Sequence, residues 1–330
     1  MAHLPTLAEM EAAATLIARS FAPTPQYCWP LLCQRVGTQV WVKHENHTPT
    51  GAFKVRGGLV YIDRLKAMRP QVRGIIAATR GNHGQSLAYA ARQAGLACVI
   101  CVPHGNSVEK NRAMQALGAE LIEHGDDFQA ALDHARTLAP GRGLHAVPSF
   151  DPLLVAGVGT YGMELLRAVP GLDTVYVPIG LGSGICGVAA AREALGHKVE
   201  IVGVVSTQAP AYARSFAQRR PIDAPVTTLL ADGMACRVPD ADALDLILRH
   251  VDRVISVTDD DVAAAMRALF TDTHNVAEGA GAAPLAALLQ DRARAQGRSV
   301  GIVLSGGNVD ARLFARILDG PPGTPGSMAD

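Results

Sequence analysis

Aromatic residues are scarce in this 330-residue chain, at 5% of the total. A core must therefore be built mainly from Ala, Val, Leu and Ile, and a hydrophobic share of 48% is ample for packed α/β layers. Net charge is lacking as well: 30 basic and 30 acidic residues cancel, which argues against nucleic acid or an anionic membrane as partner. No apolar stretch approaches bilayer-spanning length. Glu9 and Glu11 interrupt the Ala-rich run that ends at Ile17, which spoils a secretory apolar segment and makes the cytoplasm the expected location. Cysteines number six and are scattered, which in such a chain means reduced thiols. Cys98 and Cys101 fall in an apolar run that reads as a buried strand. Residues three apart on a strand point to opposite faces, so this pair is ill placed to share a metal. Cys28, Cys33, Cys186 and Cys236 show no partner spacing. His44 and His47 have no third ligand near them in sequence and read as solvated or loop-ordering side chains rather than a zinc pair.

At this length the prior is about two domains. Strand-like runs at residues 40–43, 74–78, 97–102, 120–122, 174–177, 199–205, 253–257 and 300–304 alternate with Ala-rich amphipathic helices. That alternation predicts an α/β fold of two doubly wound, parallel-sheet domains. Residues 68–147 carry their own strand–helix repeats and are expected to form the small domain, with 1–67 and 148–330 forming the large one. The Pro/Gly-rich tail from Pro321 to Ser327 is expected to be a mobile end without room for a regulatory domain.

Lys54 lies in Thr50-Gly51-Ala52-Phe53-Lys54-Val55-Arg56-Gly57-Gly58, with an aromatic and a β-branched neighbour and glycines on both sides. A buried amine loses hydration, its pKa falls, and the neutral form can attack a carbonyl. A helix-start lysine with its stem along apolar surface is the bland alternative. Two glycine loops then follow apolar runs. Thr79-Arg80-Gly81-Asn82-His83-Gly84 opens a helix, and free amides with the helix dipole suit a carboxylate or phosphate there. Gly180-Leu181-Gly182-Ser183-Gly184 converges several amides on one anion. A dinucleotide site would need an acidic residue closing the next strand, and that strand ends in Val204-Val205-Ser206. A nucleotide-triphosphate loop would end in Gly-Lys-Ser/Thr, so a single phosphate fits best. Finally, the run 300–304 leads into Ser305-Gly306-Gly307-Asn308, placing a hydroxyl at a strand's carboxyl end, unless Ser305 is simply a helix cap.

This ordered set resembles the fold type II pyridoxal-phosphate enzymes of the tryptophan synthase β-like kind, and within them the serine/threonine dehydratases, from Thr24-Pro25 to Asn308. Lys-Val-Arg at 54–56 is similar to the dehydratases, whereas cysteine and threonine synthases carry Lys-Asp-Arg. The resemblance implies pyridoxal 5'-phosphate in the cleft between the domains and Lys54 as Schiff-base lysine and catalytic base. It implies Phe53 beside the cofactor, Asn82 at the ring hydroxyl, and Gly180, Leu181, Gly182, Ser183 and Gly184 at the phosphate. It further implies Gly233 near the ring, Ser305 at the pyridine nitrogen, and Thr79, Arg80, Gly81, Asn82 and His83 around the substrate carboxylate. The implied reaction is loss of water from a β-hydroxy amino acid such as L-threonine, L-serine or a phenylserine, giving a 2-oxo acid and ammonia. A homodimer is implied as well. Amino-acid racemisation, or a silent cofactor-binding scaffold, are the alternatives.

Departures from the family pattern carry information. Ala52 replaces the usual serine, and Ser183 breaks the usual run of glycines. Val205 and Ala211 stand where metal-activated relatives carry carboxylates, so no metal is expected. Arg80 stands where related racemases use a serine as second acid/base.

Overall fold

The alternation of apolar runs and Ala-rich helices produces two open sheets in the computed structural model, which describes residues 2–320. The expected mobile tail lies outside the described residues. The strands are β1 (Gln26–Cys28), β2 (Gln39–His44), β3 (Gly74–Ala78), β4 (Ala97–Val102), β5 (Glu120–Glu123), β6 (His145–Ala146), β7 (Thr174–Pro178), β8 (Glu200–Ser206), β9 (Arg253–Val257) and β10 (Ser299–Leu304). A six-stranded sheet has the order β1-β2-β10-β7-β8-β9, and a four-stranded sheet the order β5-β4-β3-β6. Every neighbouring pair is parallel except the edge strand β1, which runs antiparallel to β2 with Gln26 opposite Lys43. The wholly parallel expectation is corrected at that edge: a short connection suffices for an antiparallel neighbour, whereas each parallel pair needs a long crossover.

The first eight helices supply most of those crossovers: α1 (Leu7–Ile17), α2 (Pro30–Val36), α3 (Lys54–Met68), α4 (Asn82–Ala94), α5 (Val108–Ala116), α6 (Phe128–Gly141), α7 (Pro152–Ala168) and α8 (Ser183–Leu195). Glu9 lies in the first turn of α1, where it and Thr6 cap each other's backbone amides. Both faces of the small sheet are covered, so its central strands are apolar throughout. Val55, Leu59 and Ile62 of α3 pack with Ile75, Ala77, Cys98 and Ile100 on one face. Ala131, Ala135 and Ala139 of α6 pack with Ile76, Val99 and Cys101 on the other. Cys98 and Cys101 thus occupy opposite faces.

Missing side chains let α3, α4 and α7 approach at backbone distance. A Cβ on Gly157 would lie 2.4 Å from the Arg56 carbonyl oxygen, and one on Gly57 2.9 Å from that of Leu154. Cys28 and Cys33, which sequence spacing left unpaired, bring their thiols to 3.4 Å across the β1–α2 corner. His44 and His47 stack at 4.9 Å and are held by Trp29 and Asn275, so they order the loop before Lys54.

Candidate active site

Each signature loop leaves the carboxyl end of a parallel strand, where open α/β sheets bind ligands. The Lys54 segment is tied to the end of β10. Phe53 N–H donates to the Ser305 carbonyl at 3.0 Å, Gly307 N–H donates to that of Gly51 at 2.9 Å, and Ala52 bridges Gly306. Lys54 therefore starts α3 next to Ser305 instead of running along the surface. Its Nζ sits 4.9 Å from the centre of the Phe53 ring. Burial lowers its pKa to about 8 against the opposing pull of Glu278. The ammonium has no ion pair among the described residues, and Ser86 Oγ pins the Lys54 carbonyl at 2.6 Å. Ser305 is buried but caps no helix, since the next one begins at Ala311. Its hydroxyl has no hydrogen-bond partner among the described residues.

At the end of β3 the Thr79–His83 loop enters α4 earlier than the sequence suggests, with Asn82 in the first turn. Thr79 N–H donates to Cys101 at 3.0 Å, and its hydroxyl accepts from Gly81 N–H at 3.0 Å. Thr79 and Gly81 are thereby committed to holding the loop, while the amides of Arg80, Asn82 and His83 have no acceptor among the described residues. The Arg80 guanidinium is half-buried and also unpaired among them. His83 is buried with Nε2 unsatisfied, and burial with Lys54 nearby pushes its pKa down to about 3. It is a neutral imidazole.

Asn82 is clamped from both ends of its amide. Its Nδ2 donates to Glu278 at 2.6 Å and its Oδ1 accepts from Asn308 Nδ2 at 2.9 Å; Asn308 in turn donates to the Thr50 carbonyl at 2.8 Å. One of the two Asn82 N–H donors remains free. Glu278 is itself buried with Oε2 unsatisfied, and burial raises its pKa while Lys110 works in the other direction. Lys110, from α5, lies 2.6 Å from Asp232 and 3.6 Å from Glu278. Burial disfavours its charge, and the two carboxylates outweigh that effect and raise its pKa. This charged trio joins the helix α5 of the small sheet to segments around the large one.

The glycine loop after β7 completes the cleft. Ser183 and Gly184, expected in the loop, already form the first turn of α8. Gly182 adopts a left-handed φ of 103°, and α8 has no side-chain cap, so its first amides are free. A Cβ on Gly180 would lie 2.4 Å from the Gly233 carbonyl oxygen, which accounts for glycine facing glycine there. Leu181 is partly exposed at the loop tip, and its carbonyl accepts from Tyr212 at 3.0 Å. Phe53 meets Tyr161 edge-on at 6.0 Å, and the Tyr161 hydroxyl donates to Gly184 at 3.0 Å. The ring beside Lys54 is thus fixed to the start of α8.

Beneath Lys54, Arg56 is fully buried between Glu45 (2.7 Å) and Glu164 (2.7 Å), and Lys43 bonds Glu164 at 2.6 Å. Two cations and two anions cancel, with Thr24 and Thr160 filling the remaining donor and acceptor positions. Sequence reasoning missed this set, as it missed Glu278, Lys110, Asp232 and the role of Asn308. A signal existed for Glu278, which opens Gly279–Gln290, a run without another charge.

A free amine, a cradle that Cβ atoms would fill, a free Asn82 N–H and a lone buried hydroxyl fit a phosphorylated pyridine aldehyde. The family described as "Pyridoxal-phosphate dependent enzyme" matches residues 17–306. The chain belongs to this family. L-threonine ammonia-lyase of Geobacter sulfurreducens is 35% identical over 287 residues, covering 87% of this chain and 71% of the relative. The catabolic L-threonine dehydratase TdcB of Staphylococcus aureus is 32% identical, covering 96% and 93%. Among solved structures, maize serine racemase superposes with a TM-score of 0.89 at 27% identity, covering 95% of this chain and 97% of that one. The fold type II, serine/threonine dehydratase assignment and the dependence on pyridoxal phosphate follow. No helix among the described residues is long and apolar enough to cross a membrane.

Proposed function

We propose that this pyridoxal-phosphate enzyme removes water from a β-hydroxy amino acid, releasing a 2-oxo acid and ammonia. The observation that carries the reading is the unpaired, depressed-pKa Lys54 amine at the meeting point of the three loops. Residues 1–67 with 148–330 are read as the cofactor domain and 68–147 as the small domain, with α3 of the first packed on the sheet of the second.

The bound cofactor supplies an electron sink for the pair left when the Cα proton departs. Lys54 would hold the cofactor, and its Nζ would be the group that accepts the Cα proton. Gly180, Leu181, Gly182, Ser183 and Gly184 hold the phosphate with α8 amides, assisted by the helix dipole. Phe53 and Gly233 would stand beside the cofactor. Asn82 directs its free N–H at the ring oxygen, its orientation set by Glu278 and Asn308. The substrate carboxylate rests on the Arg80, Asn82 and His83 amides, with Thr79 and Gly81 shaping that loop. Ser305 would offer the pyridine nitrogen a neutral hydroxyl rather than a carboxylate, an environment that would suit elimination over transamination. Measuring 2-oxo acid release from L-serine, L-threonine and threo-phenylserine tests the reading; no release from any would refute it.

Ser305→Asp places a carboxylate where the neutral hydroxyl stands. The expected result is about a tenfold shift in partition from elimination toward transamination, corresponding to roughly one pKa unit in driving force. An unchanged ratio of aminated cofactor to 2-oxo acid would show that Ser305 does not face the ring.

Racemisation is the second reading, favoured by the likeness to maize serine racemase. It needs an acid/base on the face opposite Lys54. A guanidinium presents five donors and no acceptor, so Arg80 is suited to bind an anion and not to serve as the second base. The expected outcome is elimination from the L-enantiomer with negligible D-product, and a raised KM in Arg80→Ala. Chiral chromatography showing the inverted amino acid accumulating faster than 2-oxo acid would contradict this.

Val205 and Ala211 are apolar and buried, and no cluster of three or more His, Cys, Asp or Glu side chains occurs among the described residues. Chelator is expected to leave the melting temperature unchanged; a fall restored by magnesium would overturn that.

A further inference from the structure

A cavity of about 470 Å³ opens between the small sheet and the glycine loop. It borders the candidate active site at two points: Leu181 comes from the phosphate loop, and Pro148, whose carbonyl faces the buried His83, follows β6. The remaining apolar lining arrives from separate segments, with Phe128 and Leu132 on α6, Phe150 just before α7, and Val238 in the loop preceding the helix Ala241–His250. None of Leu181, Phe128, Leu132, Phe150 and Val238 is fully covered, and Val238 stays 47% exposed. Apolar surface gathered from four places and left open to water is what an apolar ligand group would bury. The volume also falls within the roughly 300–1,000 Å³ typical of small-molecule sites, whereas a hydroxymethyl or hydroxyethyl side chain would leave most of it filled with water.

We infer that this cavity receives the β-substituent of the substrate, and that the enzyme prefers β-hydroxy amino acids bearing an aryl or comparably large apolar group at Cβ. The inference rests on the proposed dehydratase reading of the same site. Charged β-substituents are disfavoured by the apolar wall. Arg136 and Asp240 also line the cavity, with the uncharged Gln129 and Ser149, and the two opposite charges give no net attraction for either sign. Each methylene accommodated by an apolar pocket discriminates by about 10-fold or more, so a phenyl ring in place of a methyl group has room to shift preference well beyond tenfold.

Two measurements on the cofactor-loaded enzyme test the inference. The first compares kcat/KM for 2-oxo acid release from L-serine, L-threonine and L-threo-phenylserine, in the unaltered enzyme and in Val238→Asp. The expected result is a preference for phenylserine of about tenfold or more, lost in Val238→Asp while serine turnover stays within about threefold. The second replaces turnover by binding: L-phenylalanine and L-alanine, which lack a β-hydroxyl, are compared for the shift each produces in melting temperature. L-phenylalanine is expected to give the larger shift in the unaltered enzyme and to lose that advantage in Val238→Asp. Turnover of serine and threonine that exceeds that of phenylserine, with no extra stabilisation by L-phenylalanine, would overturn the aryl pocket and leave the dehydratase reading standing. No turnover of any substrate, with L-phenylalanine still favoured, would refute the reaction and support an aryl amino-acid site.

Discussion

Lys54→Ala is expected to lose the visible absorbance of the bound cofactor and to lower turnover by about 10³-fold or more, because one side chain supplies both the covalent link and the base. The loss should be specific to chemistry: Phe53, Ser305 and the hydrogen bonds that pin the segment to β10 involve the backbone and remain. Retained turnover in that variant would sink the mechanism. The lowered pKa adds a pH dependence. Only the neutral amine joins a carbonyl, and the Lys54 pKa is about 8, so cofactor uptake by the cofactor-free protein should accelerate as pH rises through that value and level off above it. Uptake that is flat or slows across that range would contradict the assigned environment.

Arg56→Met is expected to have the largest effect on stability. The guanidinium is fully buried between Glu45 and Glu164, and Lys43 alone cannot neutralise both carboxylates. Breaking a buried ion network by removing one partner costs about 3–5 kcal/mol, chiefly because the remaining charges stay buried without compensation. The melting temperature should fall by on the order of 10 °C, and a fall below about 2 °C would show that the network reorganises at little cost. Since Arg56 lies two residues after Lys54 on α3, cofactor absorbance in the surviving folded fraction also reports whether this network holds the lysine in register.

The elements that were legible in sequence are those whose signal is local. Strands β3 and β4 fall where their apolar runs predicted, because a strand covered on both faces reads as an uninterrupted apolar segment bounded by polar or turn residues. The order of the three glycine-bearing loops followed from the same logic, since each comes directly after such a strand. The shortest elements left no comparable trace: β1 has three residues and β6 two, and β6 owes its pairing to β3, distant in sequence. The starts of α4 and α8 were placed late because glycine loops were read as ending where the helix begins. Asn82 and Ser183 already carry helical geometry, which is what aims their amides into the cleft.

The second layer of the site was illegible for a different reason. Asn82 and Glu278 are 196 residues apart, and Lys110 and Asp232 are 122 apart. Nothing in the local pattern of either partner announces the other, and a lysine on an amphipathic helix such as α5 ordinarily reads as a solvated face. The Cys28–Cys33 contact was missed likewise, because it forms only when β1 folds back beside α2. Chemistry carried by single loops was readable from sequence, whereas the groups that orient those loops became visible only once the sheets brought them together.

The central claim is that Lys54 carries the cofactor, and the chain contains five lysines, of which Lys43 and Lys110 are buried. The most direct measurement is borohydride reduction of the cofactor-loaded protein followed by peptide mass analysis. A pyridoxyl-phosphate mass addition confined to the peptide containing Lys54 is the expected result. The same addition on the peptide containing Lys43 or Lys110, or on none, would contradict the account.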